Sequence, residues 1–509
     1  MKIYKEFQEA KNGSLIPVFL SGRTMESRYN PERDAQTLCD SIEEGIKFFL
    51  VLGIGSGIFI ELLSQKNPDA KIIALELYEE DLSLLKENQR VKQLSLNPLI
   101  TFTSLEKLEE SLIQNYLPAK YGNLKIVEQR GWINENQDKI ESINAVLQRT
   151  LGIISADYSV QAHFGKIWTS NIMNNSRLAQ KTELYCFDNK AELLKKTAVV
   201  VAAGPSLDRT LSILSDKNRR DSFFVISTDT AAQTLFRKGI TPEIIVSIDG
   251  QSVSYNHFIN QKNNEAAQLS PVFAFDLCAN TSAARYICEK KSRVTFFCSG
   301  HPLSSAINAS NGFCLPMLFS GAGTVTITAL DLAVQSGFKN ILILGADFSY
   351  SKGKAYSSGT YLDTLYNKSS SKLSKAEGTF SKLMFRTELQ SLSEDVKTTQ
   401  ILQAYKFSLE KYLTEKGITF TKEDEVYKLK CPQQMNKAAS PDSQGIFTKP
   451  LASFSLKAFM DKLTCMTAEE NEMLILPYIA WLRNNEQYKN VSYNELLKLA
   501  LDSIVSYNI

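Results

Sequence analysis

The sequence predicts an α/β fold built on mostly parallel sheets. Three observations carry that expectation. Short apolar runs without alternation suit strands buried on both faces. Segments with apolar residues at three- and four-residue spacing lie between those runs, as in a sheet with helices on both sides. Small-residue turns join runs to helical patterns, so a helix N-terminus opens where a strand ends.

The first stretch, residues 1–165, is expected to be a Rossmann-like domain. Phe48 to Leu52 (FFLVL) is a buried strand. It runs into Gly53-Ile54-Gly55-Ser56-Gly57 and then the helical pattern IFIELLSQ. Lys71 to Glu76 (KIIALE) is a second strand that ends in an acid nineteen residues past Gly57. This G-x-G-x-G arrangement fits a nucleotide-binding or methyltransferase turn, and plain helix–sheet packing accounts for the glycines equally well.

The second stretch, residues 166–385, is expected to be a central domain with a mostly parallel sheet. Its runs are AVVVAA (198–203), FFVIS (223–227), IIVSI (244–248), PVFAF (271–275), RVTFF (293–297) and NILILG (340–345). Asp229, Asp249, Asp276 and Asp347 follow strand ends. Carboxyl ends of parallel strands line the ligand crevice in this architecture, although an aspartate there is also a common helix cap. Residues 351–386 are rich in Ser, Gly and Lys and read as a loop, a basic lid beside an anionic ligand or a solvated segment. The third stretch, residues 386–509, is expected to be a mainly helical domain, with ILQAYKFSLEKYL (401–413) and the region from Leu456 to Leu501 as its helices.

Composition bounds the function. With 57 basic and 55 acidic residues the net charge is +2, which argues against a nucleic-acid-binding protein. The three histidines lie far apart and leave little for a histidine-built metal site. The eight cysteines include no C-x-x-C and are expected to be buried free thiols. The N-terminal residues lack an apolar secretory core, and no run is long enough to span a membrane, so a cytoplasmic location is expected.

Two turns in the central stretch carry chemistry. After the strand at Val199, Gly204 permits close backbone approach, Pro205 fixes the turn, and Ser206 can cap the helix or bind an oxygen. Phe319-Ser320-Gly321-Ala322-Gly323-Thr324 precedes a second helix, VTITALDLAVQSG. Both turns fit a phosphate site as well as an ordinary helix start. No D-x-D and no P-loop G-x-x-x-x-G-K-[ST] occurs.

GPSL after a strand, S-x-D-G-Q (Ser247 to Gln251), SGAGTV, and GADFSYSKGKAY (Gly345 to Tyr356) follow in that order. In this the chain resembles the flagellin-modifying motility accessory factors of motile bacteria. The likeness covers most of the chain, and the central domain is similar to bacterial sialyltransferases. It implies transfer of a nonulosonic acid, of pseudaminic or legionaminic type, from a CMP-activated donor to Ser/Thr of flagellin. No metal and no cofactor besides the donor is implied. Gly204, Pro205, Ser206, Asp229, Asp249, Ser320, Gly321, Gly323 and Thr324 would hold the donor, and Tyr356 and Tyr350 would supply hydroxyls to the leaving phosphate. The sialyltransferase histidine that follows G-x-D-F is missing here, since no histidine comes after His301. The base that takes the acceptor proton is then Asp249, Asp347 or His301, which is preferred over His257 and His163 because it follows a strand end. Two alternatives stay open: a pyrophosphokinase-like phosphate-transfer enzyme using ATP and a divalent metal, and a flagellin-binding assembly factor without catalysis.

Overall fold

The computed structural model describes residues 2–185, 190–259, 270–310, 315–321, 323–368, 370, 384–385, 387–432 and 456–507. They form two compact units, Met1–Gly165 with Leu476–Leu496, and Lys166–Ile475 with Leu497–Ile509. Residues 386–475 and 497–509 fall in the second unit and 476–496 in the first.

The first unit opens with an antiparallel hairpin of β1 (Tyr4–Glu9) and β2 (Leu15–Phe19). Its main sheet has β3 (Phe48–Leu52), β4 (Lys71–Glu76), β5 (Ile100–Ser104) and β6 (Leu124–Glu128) in the order β5-β4-β3-β6, all parallel. Every residue of β3 is buried, which is why FFLVL shows no alternation. Chain order reverses beside β3, where a Rossmann-like sheet opens its ligand crevice.

The second unit is built on a sheet of eight strands. Six are parallel: β7 (Thr197–Val201), β8 (Phe223–Thr228), β9 (Ile244–Ser247), β10 (Val272–Asp276), β11 (Arg293–Phe297) and β12 (Asn340–Leu344). The order is β11-β10-β9-β8-β7-β12, followed by β17 (Val426–Lys430) and β16 (Thr419–Glu423). Both faces are covered. Ala198, Val200, Phe224 and Ile226 enter one core, and Val199, Val201, Phe223 and Val225 enter another. This period-two division within a wholly apolar run is what burial on two faces requires. The switch point lies between β7 and β12.

Two expectations are corrected, beside one addition. The stretch after residue 386 is mainly helical, as expected, and also carries strands. A short sheet orders β13 (Tyr350–Ser351), β15 (Val396–Thr398) and β14 (Gln390–Ser391), and the hairpin β16 (Thr419–Glu423)–β17 (Val426–Lys430) extends the large sheet, β17 pairing antiparallel with β12. The hairpin turns on Asp424 and Glu425, at φ +48° and +68°, a two-residue turn with both central residues left-handed. The segment expected to be a loop contains the helix Tyr361–Lys368, while residues 371–383 and 386 lie outside the described residues. Of the six described cysteines, all free, Cys39, Cys278 and Cys298 are buried, but Cys288 and Cys431 are half-buried and Cys465 is exposed; Cys186 and Cys314 lie outside the described residues.

Glu76 closes β4 and is wholly buried. Its carboxyl accepts from the Ile54 N–H (2.7 Å), the Trp132 indole (2.8 Å) and the Tyr4 hydroxyl (3.1 Å). Burial pushes its pKa up to about 7, against the lowering effect of those donors. The folded value is raised, so the stability linked to this group is full below the ordinary carboxylate range and is lost as pH rises towards and through about 7, by roughly 3 kcal/mol. Glu76→Gln should therefore flatten the pH dependence of urea unfolding between pH 5 and 8, followed by Trp132 fluorescence. An unchanged slope would mean that Glu76 is ionised at little cost in the fold.

Candidate active site

The turn after β7 and the turn after β12 meet at the switch point. The Ala202 N–H donates to Leu344 O and the Gly204 N–H to Gly345 O, both at 2.8 Å. The Ser206 N–H donates to Asp347 Oδ2 at 2.8 Å. A Cβ on Gly204 would lie 2.2 Å from that carboxylate oxygen and 2.4 Å from Gly345 O. The close approach that Gly204 permits is thus to the chain's own β12 turn, and both N–H groups of Gly204–Ser206 expected to face a phosphate are spent, on Gly345 O and Asp347. The helix that opens there, Leu207–Thr210, is four residues long. Burial raises the Asp347 pKa above its ordinary value. Phe348, a non-glycine residue at φ +52°, carries the chain away from Asp347, a conformation that costs about 1–2 kcal/mol and persists only where surrounding contacts enforce it.

The segment bearing Tyr356 is tied down on this edge. The Ser357 N–H donates to Ala203 O (2.8 Å), and Asp208 accepts from the Ser358 N–H (2.8 Å), the Ser358 hydroxyl (2.9 Å) and Lys354 Nζ (3.1 Å). Thr234, on the helix Asp229–Arg237, donates to Ser358 O at 3.0 Å. Lys354, expected on a basic lid, is therefore paired with Asp208. Burial, then the neighbouring Tyr350, Tyr361, Tyr366 and Tyr405, push the Tyr356 pKa up to about 12, so its hydroxyl keeps its proton at neutral pH. Burial also raises the pKa of Tyr350.

Two acids stand by this tyrosine group. Asp229, 2% exposed, accepts from the Ser247 hydroxyl (2.7 Å) and from the N–H (2.7 Å) and hydroxyl (3.1 Å) of Thr230. Asp249 accepts from the Gln251 N–H at 2.9 Å. Burial raises the Asp249 pKa, Asp229 raises it further, and His257 opposes the rise. Asp249 in turn raises the pKa of Tyr361 and Tyr405, in each case after burial. His257 meets the Tyr361 ring edge to face at 4.6 Å. Sequence reasoning ranks His257 below His301 and does not single out Tyr405. Neither sits in a motif, and only folding brings them beside Asp249.

His301 sits elsewhere. It caps the helix Pro302–Ala309, its Nδ1 accepting from the Leu303 N–H at 3.2 Å. Burial lowers its pKa to about 4, so the ring is neutral at pH 7. In the second turn, Ser320 O accepts from the N–H groups of Gly323 (3.0 Å) and Thr324 (3.1 Å), and a Cβ on Gly321 would lie 2.6 Å from Ser408 Oγ. Thr324 makes no side-chain cap to the helix Val325–Ser336, whose first N–H groups remain a place for an anion. Ala322 lies outside the described residues. Among the described residues no three His, Cys, Asp or Glu side chains converge as metal ligands, and no helix is long and apolar enough to cross a membrane.

Fold and site together define an α/β chain with a polar, tyrosine-lined centre on the carboxyl edge of a parallel sheet. Residues 170–353 match the family described as 6-hydroxymethylpterin diphosphokinase MptE-like, well under half of the chain. A Treponema pallidum (strain Nichols) protein described as uncharacterized is 30% identical over 153 residues, which are 30% of this chain and 70% of that one. The chain belongs to the same family as that protein. A second Treponema pallidum protein, also described as uncharacterized, is 27% identical over 237 residues, 46% of this chain and 75% of its own length. Among solved structures, the MAf glycosyltransferase from Magnetospirillum magneticum AMB-1 aligns with all of this chain and 93% of its own, at 12% identity and a TM-score of 0.49. That likeness is too distant to bear on activity.

The contact at Gly204 yields a test. Gly204→Ala should destabilise the chain by roughly 1–3 kcal/mol through overpacking against Asp347 and Gly345. Combined with Asp347→Ala it should regain at least about 0.5 kcal/mol of that loss, because the two positions are in contact. Strict additivity in denaturant unfolding would show that the two turns do not press on each other.

Proposed function

We propose that the chain moves a nonulosonic acid from a CMP-activated donor to serine or threonine of flagellin. The observation that carries this reading is Tyr356, held over the β7 turn with a hydroxyl that stays protonated. When the glycosidic bond breaks, charge builds on the phosphate oxygen of CMP, and a preorganised neutral hydroxyl donates to it. Tyr350 is the neighbouring hydroxyl that shares this task. Asp249, with its raised pKa and an anchor at Gln251, takes the proton of the acceptor hydroxyl as its oxygen bonds to the anomeric carbon. The GPSL, S-x-D-G-Q and GADFSYSKGKAY segments follow β7, β9 and β12, parallel strands of one sheet, which supports the same reading. A cytoplasmic site of action follows, because flagellin is met there before export.

The match of residues 170–353 to a diphosphokinase-like family favours a second reading, pyrophosphoryl transfer from ATP. The divalent ion used in such chemistry would fall to Asp229 and Asp249. The fit is poor, because Asp229 already gives both oxygens to Thr230 and Ser247.

The mass of flagellin from wild-type and deletion strains separates the two. A nonulosonic acid increment per site that vanishes on deletion supports glycosyl transfer, and an unchanged mass refutes it. Within that assay Tyr356→Phe should lower the modification rate about 10²–10³-fold with donor affinity little changed. The double variant with Tyr350→Phe should be at least as slow. CMP binding should persist in EDTA; binding that needs Mg²⁺ would favour the diphosphokinase reading. Wild-type rates in all tyrosine variants would remove tyrosine-assisted departure of CMP.

A further inference from the structure

The Gly53–Gly57 turn of the first unit has the shape of an anion site, and it is filled from within. The helix Ile58–Lys66 opens at Gly57 with no side-chain cap. The Ser56 N–H just before it donates to Glu26 Oε1 at 2.6 Å. A Cβ on Gly55 would lie 2.3 Å from that same oxygen. Glu26 comes from the irregular chain after β2, thirty residues earlier, and its carboxylate stands where a phosphate or carboxylate of a ligand would sit.

The neighbouring residues hold this plug in place. A Cβ on Gly131 would lie 1.9 Å from Met25 O, and one on Gly53 would lie 2.6 Å from Met25 Cε and 2.7 Å from Trp132 Cγ. The Tyr4 hydroxyl meets Met25 Sδ at 3.2 Å. Met25 and Glu26 thus occupy the crevice that the order β5-β4-β3-β6 creates beside β3.

The plug is imperfect. The Glu26 carboxyl is fully buried, yet Oε2 has no hydrogen-bond partner. A buried acceptor left unmade costs about 1–3 kcal/mol. Burial raises the Glu26 pKa against the lowering effect of the Ser56 donors and, last, of Arg90, which is itself paired with Glu61 at 2.8 Å. A side chain that merely filled space would do so at lower cost without a carboxyl.

We propose that the Gly53–Gly57 turn is a second binding site, for the anionic end of a nucleoside-containing ligand, kept closed by the Glu26 carboxyl as an internal substitute for that anion. The ligand's anion is a phosphate or a carboxylate. Glu76, bonded to Tyr4, Trp132 and Ile54, is committed to the fold, so recognition rests on the turn. This site is independent of the tyrosine-lined centre on the second sheet.

The test uses the full chain and two probes, AMP for a phosphate and S-adenosylhomocysteine for a carboxylate. Binding is measured by calorimetry, with hydrogen exchange of peptides spanning residues 53–58 to locate it. Glu26→Ala and Glu26→Ser should bind one or both probes at least tenfold more tightly than wild type and show protection at 53–58. Glu26→Gln keeps the acceptor for Ser56 and should behave as wild type. Binding of AMP alone assigns a phosphate, and binding of S-adenosylhomocysteine alone a carboxylate. The proposal is overturned if both folded Ala and Ser variants bind neither probe at 53–58, or if wild type binds as tightly as they do. Should Glu26→Ala fail to fold, Glu26→Ser carries the comparison.

Discussion

The Asp347 carboxylate reaches back from the end of β12 and takes the Ser206 N–H at the end of β7, and the candidate centre is arranged around that bond. It joins residues 141 apart in sequence across the switch point of the sheet. It needs Gly204, since any side chain there would strike the carboxylate, and it needs the left-handed Phe348 to turn the chain away afterwards. With the two turns locked, Asp208 and Ala203 present acceptors to Ser357 and Ser358, and these fix Tyr356 on the same edge. The backbone bonds that follow Tyr356 limit where its side chain can stand.

The parallel strands were legible because nothing but burial shapes them. FFLVL, KIIALE and RVTFF coincide with β3, β4 and β11 residue for residue. The hairpin β16–β17 was not legible. Every residue of β16 is exposed, so TFTKE carries no buried face, and Asp424–Glu425 replaces the glycine that usually marks such a turn. The helix Tyr361–Lys368 is two turns long, and its stripe of Tyr361, Leu362, Leu365 and Tyr366 is too short to stand out within a Ser- and Lys-rich segment. Strand-end position singled out Asp229, Asp249 and Asp347, but it could not tell a holding role from a reacting one. Their partners differ: both oxygens of Asp229 accept hydrogen bonds, Asp347 accepts from Ser206, and Asp249 accepts from Gln251. His301 caps a helix through Nδ1, and burial keeps its ring neutral.

The two sheets treat similar turns in similar ways. In each, a glycine beside the first strand of the sheet admits a carboxylate from a distant segment, Glu26 at Gly55 and Asp347 at Gly204. In each, that carboxylate takes a backbone N–H that a ligand anion could otherwise use. The surroundings differ. Asp347 has Glu425 and Lys422 near its Ser206 bond, whereas Glu26 has Ser56 and Arg90. Small-residue turns after buried strands therefore mark where an anion can be held, and the partner actually present decides whether the place is open.

The central claim is that a nucleotide binds at the meeting of the β7 and β12 turns. Hydrogen exchange of the full chain with and without CMP tests it most directly. The account predicts slowed exchange in peptides covering 202–208 and 345–361, with 53–58 unchanged. Slowed exchange confined to 53–58, or no change in either region at saturating CMP, would contradict it.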